Sequence, residues 1–190
     1  MTDRLQWIPL EQALSLGREM GIAETQASRG AFRTIANNPE VARSLYGLLT
    51  TLLHKNQLPL RLREWMVLRI AWTTGSEYAW AQHYRIATTQ AGFSEADVLA
   101  VRDWKNSDRP GPAERAVLAA VDDTVARGCI SDAVWAECAL HIREPALLVE
   151  MAVGIGNWIM LSQLFQTFKV PLQEGAASWP PDGEGPQRAV

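Results

Sequence analysis

Cysteine and histidine are scarce in this chain, at two and three among 190 residues. Cys129 and Cys138 stand nine apart, too far for a CxxC pair, with no further ligand pattern beside them. That spacing excludes a CxxC redox motif and a zinc set, and leaves the expectation of reduced thiols in a cytoplasmic protein. Three scattered histidines without clustered carboxylates give no metal-ligand spacing, so no metal is expected. A charge excess is missing as well: 18 basic and 21 acidic residues sum to -3, which provides no electrostatic footprint for nucleic acid. No glycine-rich phosphate loop follows a strand pattern, because Gly154 and Gly156 lie inside an apolar helical run, where they suit close packing or a kink. Asp3, Arg4, Glu11 and Arg18 interrupt the first twenty residues, so no signal peptide is expected there. The longest apolar stretch, Pro145 to Phe168, contains Glu150, Asn157, Gln163 and Gln166. Each polar group placed in hydrocarbon costs several kcal/mol, so a helix buried in a core or subunit interface is expected rather than a membrane span.

What the chain does have is apolar residues, 47 % of the total, recurring with the helical period of 3.6. Strand-like alternation is almost absent, and the expected class is all-α. Helices are expected from about Leu10 to Met20, Glu24 to Ile35, Pro39 (capped by Asn38) to His54, and Leu60 to Trp72. Thr74 with Glu77 has capping-box spacing and predicts a helix to about Gln90, and Ser94 with Asp97 predicts another to about Asp103. Pro112 to Arg127, Ser131 to His141 and Pro145 to Phe168 complete the set. The expected organisation is one domain over residues 1–172. The Pro- and Gly-rich residues 173–190 are expected to be mobile or to lie along a neighbour.

The distinctive stretch runs from Arg61 to Ala87, two helices joined by Thr73-Thr74-Gly75 into a central hairpin. On the second helix Ser76, Ala79 and His83 are three and four apart and share a face, with Glu64 coming from the first helix. This run resembles the core motif of the carboxymuconolactone decarboxylase and alkylhydroperoxidase-D (AhpD-like) family. In that family a glutamate is followed twelve residues later by Cys-x-x-Cys-x-x-x-His. The resemblance puts the glutamate at Glu64 and the histidine at His83, while Ser76 and Ala79 occupy the two cysteine positions. Serine and alanine can neither attack a peroxide nor resolve a sulfenic acid, so thiol peroxidase chemistry is not expected.

The resemblance then implies the decarboxylase side of the family: an all-α AhpD-like fold and general acid-base chemistry without a cofactor on a small carboxylated lactone or ring-cleavage product. His83 and Glu64 are the catalytic candidates, since imidazole exchanges protons readily near neutral pH. Arg61, Arg69 and Arg85 are candidates for holding a substrate carboxylate, and Tyr78, Trp80 and Tyr84 for an apolar wall. Ser76 and Glu77 are supporting candidates, although Glu77 also fits a capping role. The same residues would serve an isomerase, a cyclase or a small hydrolase, and a catalytically silent oligomer binding a small ligand or a protein remains the alternative from another class. Glu64 could instead pair with Arg61, Arg63 or Lys55, and Trp65, Trp72 and Trp158 have the ordinary reading of packing residues. An apolar last helix and many indoles predict self-association; the family resemblance implies a trimer or hexamer.

Overall fold

Ten α-helices and one 3-10 turn are found in residues 4–187, the part of the chain that the computed structural model describes, and no strand occurs among those residues. The chain divides into two compact units. The first holds α1 (Leu10–Glu19), α2 (Glu24–Ala27), α3 (Gly30–Ile35) and α4 (Pro39–His54), together with Leu164–Ala176. The second spans Gln57–Gln163 and resumes at Ala177. It holds α5 (Leu60–Thr74), α6 (Glu77–Thr89), α7 (Glu95–Ala100), the 3-10 turn Trp104–Asn106, α8 (Pro112–Arg127) and α9 (Asp132–Ile142). It also holds α10 (Pro145–Phe168) as far as Gln163.

In the first unit, the Asn38 side chain accepts a hydrogen bond from the Val41 amide at 3.2 Å, while Pro39 occupies the first turn, where its missing N–H costs nothing. Asn38→Ala is expected to lower stability by about 1 kcal/mol in chemical denaturation. The single helix expected over Glu24 to Ile35 is broken in two. Ser28 bonds its hydroxyl back to the Thr25 carbonyl, and Arg29 is extended at the start of α3. Serine and glycine are weak in helix interiors, and a break this short leaves the apolar periodicity unmarked.

The second unit is built on the α5–α6 hairpin, with α5 also packed along α8 and α8 along α9. Gly75 makes the hairpin possible. It adopts φ 67°, a left-handed conformation that costs a glycine little. Its amide donates to the Trp72 carbonyl and the Ser76 amide to Ala71, closing α5 with a Schellman pair. The expected Thr74 capping box does not form. Thr74 is the last residue of α5, with its hydroxyl on the Ile70 carbonyl, and α6 starts at Glu77 after Ser76. The cap pattern and the C-terminal glycine pattern overlap here, and the glycine sets the break. Ser94 and Asp97 do form a capping box. The helix they start ends at Ala100 rather than Asp103, and the Val101 and Arg102 carbonyls accept from Arg69 instead.

Nearly every side of α5 is covered, which brings even Arg63 and Glu64 into the interior. Trp65, Leu68, Trp80, Val98 and Leu118 form the centre of a core shared by α5 to α8. Part of the expected mobile tail lies on this core. The Trp179 ring packs 5.9 Å from both Trp72 and Trp80, the Trp80 indole donates to the Pro180 carbonyl at 2.6 Å, and Arg102 grips Asp182 through two bonds of 2.8 Å. One tryptophan among prolines and glycines is the anchor that average composition conceals; residues 188–190 lie outside the described residues. α10 is long and apolar enough to cross a membrane by length and composition, a property that core helices share. It buries Leu148, Met151, Ile155 and Trp158, and the Glu150 carboxylate accepts from the Gln57 and Leu58 amides.

Candidate active site

The hairpin brings Glu64, one turn into α5, against His83 on α6. Glu64 Oε2 lies 2.7 Å from His83 Nδ1, with Glu64 fully buried and His83 only 8 % exposed. Arg63 Nε donates to the other carboxylate oxygen at 3.1 Å. From α10, the Trp158 indole N–H donates to His83 Nε2 at 3.2 Å, with the rings edge-on at 81°. An indole nitrogen is a donor only, so Nε2 must be the accepting nitrogen. The network therefore assigns the hydrogen to Nδ1, which donates it to Glu64.

Burial by itself would raise the Glu64 carboxyl. The hydrogen bond of His83 and, when the ring is protonated, its charge, followed by the charge and hydrogen bond of Arg63, outweigh burial and hold it below its ordinary value of 4.5. Because the folded value is the lower one, the unfolded chain binds more protons on acidification. Stability from this group is present above the ordinary carboxylate range and is lost as pH falls through the lowered value. Unfolding midpoints measured from pH 7 down to pH 3 are expected to fall more steeply in the wild type than in Glu64→Gln.

Ser76 and Ala79 lie on the same α6 face as His83, at 0 % and 5 % exposure. The Ser76 hydroxyl has no hydrogen-bond partner among the described residues. The two cysteines are elsewhere: Cys129 is exposed, and Cys138 is buried on α9 with its thiol pushed up to about 11, first by burial and then by Glu137. So protonated a thiol is a poor nucleophile.

Of the sequence-predicted residues, the structure brings together Glu64 and His83. Arg61 is spent on the Glu114 carboxylate at 3.1 Å and the Gly92 carbonyl at 3.2 Å. Arg69 is a structural clamp, holding both Asp122 oxygens at 2.6 and 3.1 Å as well as two backbone carbonyls. Arg85 is exposed and Tyr84 points its hydroxyl at Glu95, so neither joins the pair. Trp80 belongs to the core beneath Trp179, Tyr78 is buried, and Glu77 takes a hydrogen bond from Ser178 of the tail. Arg61 and Arg69, both candidates for holding a substrate carboxylate, already have carboxylate partners within the chain. The arginine beside the pair is Arg63. Trp158 is the participant that sequence reasoning assigned to packing; its one signal was a polar-capable indole next to Asn157 within an apolar run.

A separate cavity of about 430 Å³ opens among Trp104, Arg115, Ala119, Val134, Glu137 and His141. None of its lining residues belongs to the Glu64–His83 pair.

The sequence model of the Carboxymuconolactone decarboxylase family matches residues 39–123, a segment that includes both Glu64 and His83. The fold is also that of several solved structures. A peroxidase-related protein from Silicibacter sp. TM1040 superposes with a TM-score of 0.73 at 12 % identity, covering 92 % of this chain and 93 % of its own. The alkylhydroperoxidase AhpD core protein from Ralstonia eutropha JMP134 gives a TM-score of 0.72 at 15 % identity, with 90 % and 93 % covered. The debrominase Bmp8 in complex with 2,3,4-tribromopyrrole gives 0.70 at 18 % identity, with 92 % and 94 % covered. No curated protein sequence matches. The family match covers residues 39–123 alone, the solved structures share the AhpD-like all-α fold, and the chain lacks the adjacent CxxC cysteines.

Proposed function

We propose that this chain is a cofactor-independent acid-base enzyme, a decarboxylase-like lyase acting on a small carboxylated lactone or ring-cleavage product. The observation that carries the proposal is the buried Glu64–His83 hydrogen bond, at the family's glutamate and histidine positions, with serine and alanine where thiols would stand. In the proposed reaction the bond between the carboxylate carbon and the ring carbon breaks. Carbon dioxide leaves, and the electron pair is taken up by the conjugated carbonyl system. The imidazolium form of His83 then delivers a proton to carbon, returning the ring to its neutral tautomer. Glu64 orients the imidazole and stabilises its charged form. Arg63 already compensates the Glu64 carboxylate, so the negative charge of the substrate supplies the remaining balance for an imidazolium.

An isomerase or cyclase on a similar acid would use the neutral tautomer first, as a base, and return the proton to a different atom. A silent binding or structural oligomer is the reading that remains if neither reaction is found. The test is a panel of carboxylated lactones and muconate derivatives, followed by ultraviolet absorbance and carbon dioxide release. Release that falls by roughly 10²–10⁴-fold in His83→Ala supports the lyase. An absorbance change without release, lost in the same variant, supports isomerisation or cyclisation. Activity that His83→Ala leaves intact overturns both.

We further propose a cytoplasmic homo-oligomer, a trimer or hexamer. Val149, Val153 and Met160 on α10 are 62 %, 42 % and 38 % exposed in a single chain, apolar surface that self-association would cover. Light scattering is expected to give a mass three or six times that of the chain, and a monomer would contradict the proposal.

A further inference from the structure

Each nitrogen of His83 has a fixed partner, and the partner on Nε2 is not one that an acid-base residue can keep while it works. Nδ1 faces the Glu64 carboxylate at 2.7 Å, so proton exchange with a substrate carbon has to occur at Nε2. The Nε2 lone pair is occupied by the Trp158 indole N–H at 3.2 Å. Both side chains are buried, His83 at 8 % and Trp158 at 3 % exposure, so water does not stand in readily for either bond. Unlike serine or tyrosine, which can donate or accept, the indole offers only a proton. It therefore selects one tautomer of the imidazole and blocks the nitrogen that would react.

We infer that Trp158 is a positioning residue that holds His83 as its Nδ1–H tautomer in the resting site and releases Nε2 only when a substrate displaces the indole. This rests on the reading of His83 as the acid-base group. The surroundings of the indole suit such a displacement. Gly154, one turn earlier on α10, puts no side chain beside the ring: a Cβ there would stand 3.6 Å from Trp158 Cζ3 and 3.0 Å from the Met66 methyl. Met66 borders the same space with an unbranched thioether, a side chain that repacks at low cost. Glu64 and Arg63 hold the far side of the imidazole in place while the indole moves. The occupant expected beside Nε2 is a carbon acid whose neighbouring carbonyl or carboxylate oxygen can accept the freed indole hydrogen.

The test uses the wild-type chain, Trp158→Phe, Glu64→Gln and the double variant labelled with ¹⁵N, reading the imidazole nitrogens of His83 by NMR. The rate of His83 modification by diethyl pyrocarbonate is read by peptide mass spectrometry. The wild type is expected to show a single tautomer with hydrogen on Nδ1. In Trp158→Phe, with its circular dichroism unchanged, Glu64 still keeps hydrogen on Nδ1, and about tenfold faster modification of the freed Nε2 is expected, the equivalent of one hydrogen bond of ordinary strength. In Glu64→Gln, whose amide can accept as well as donate, the Trp158 N–H alone decides, and hydrogen is expected to stay on Nδ1; adding Trp158→Phe is expected to give a mixture of tautomers. A wild-type spectrum with hydrogen on Nε2 overturns the inference whether or not the variants fold, as does a Trp158→Phe chain modified at the wild-type rate, or a single tautomer kept in the double variant. These readouts need no substrate, so they can fail while the acid-base reading stands. Loss of that reading in the His83→Ala assay would leave the tautomer result intact.

Discussion

Glu64→Ala is expected to lower the stability of the chain by about 3–5 kcal/mol, the usual consequence of removing one member of a buried charge pair. The carboxylate is completely buried and receives Arg63 on one oxygen and His83 on the other. Truncation leaves the Arg63 guanidinium and an imidazole N–H in the interior without the carboxylate that faced them. Glu64→Gln keeps the shape and one acceptor oxygen, and should cost clearly less. Urea denaturation of the three proteins at pH 7 checks this. A cost below about 1 kcal/mol for Glu64→Ala would mean that the pair is reached by water, since exposed pairs are worth no more than that.

Trp80→Ala is expected to have a comparable effect by another route. Its indole is fully buried among Trp65, Leu68, Val98 and Leu118, and replacing a buried Phe or Trp by alanine costs about 3–5 kcal/mol through lost transfer energy and the cavity left behind. Trp80 also holds the tail, through its N–H on the Pro180 carbonyl and its ring beside Trp179. The same substitution should therefore expose residues 177–187 to limited proteolysis at a protease concentration that leaves the wild type intact. Trp80→Phe keeps most of the ring and loses only the N–H, and is expected to release the tail with a smaller loss of global stability. A tail cleaved at the same rate in all three proteins would contradict this anchoring.

The second unit was the more legible of the two from sequence, because its punctuation is strong. Pro112 and Pro145 open α8 and α10 where proline is harmless, and Gly75 and Gly128 end α5 and α8 with left-handed residues. The apolar period could not register the break at Ser28 and Arg29, nor choose between the competing signals at Thr74 and Gly75. At the site, Glu64 and His83 could be found because their separation along a hairpin is short and the family motif fixes their spacing. The arginines could not be sorted the same way. Asp122 lies 53 residues from Arg69, and nothing local to either marks them as partners, so a structural clamp and a substrate clamp look alike in sequence. Trp158 lies 75 residues from His83, in a helix whose apolar character made packing the ordinary reading. Position in three dimensions separates these cases: Arg69 faces both Asp122 oxygens, while the Trp158 indole donates to His83 Nε2.

The most direct test of Glu64 and His83 as an acid-base pair is deuterium wash-in. Candidate carboxylated lactones and related carbon acids would be incubated with the protein in heavy water, and their C–H signals followed by NMR for the wild type and His83→Ala. Proton exchange needs no bond to carbon dioxide to break, so a lyase, an isomerase and a cyclase would all register. The expected result is deuterium incorporation at a carbon next to a carbonyl, catalysed by the wild type and lost in His83→Ala. Incorporation that persists in His83→Ala, or none with any carbon acid while a Cys129- or Cys138-dependent peroxide reduction is detected, would contradict acid-base chemistry at this pair.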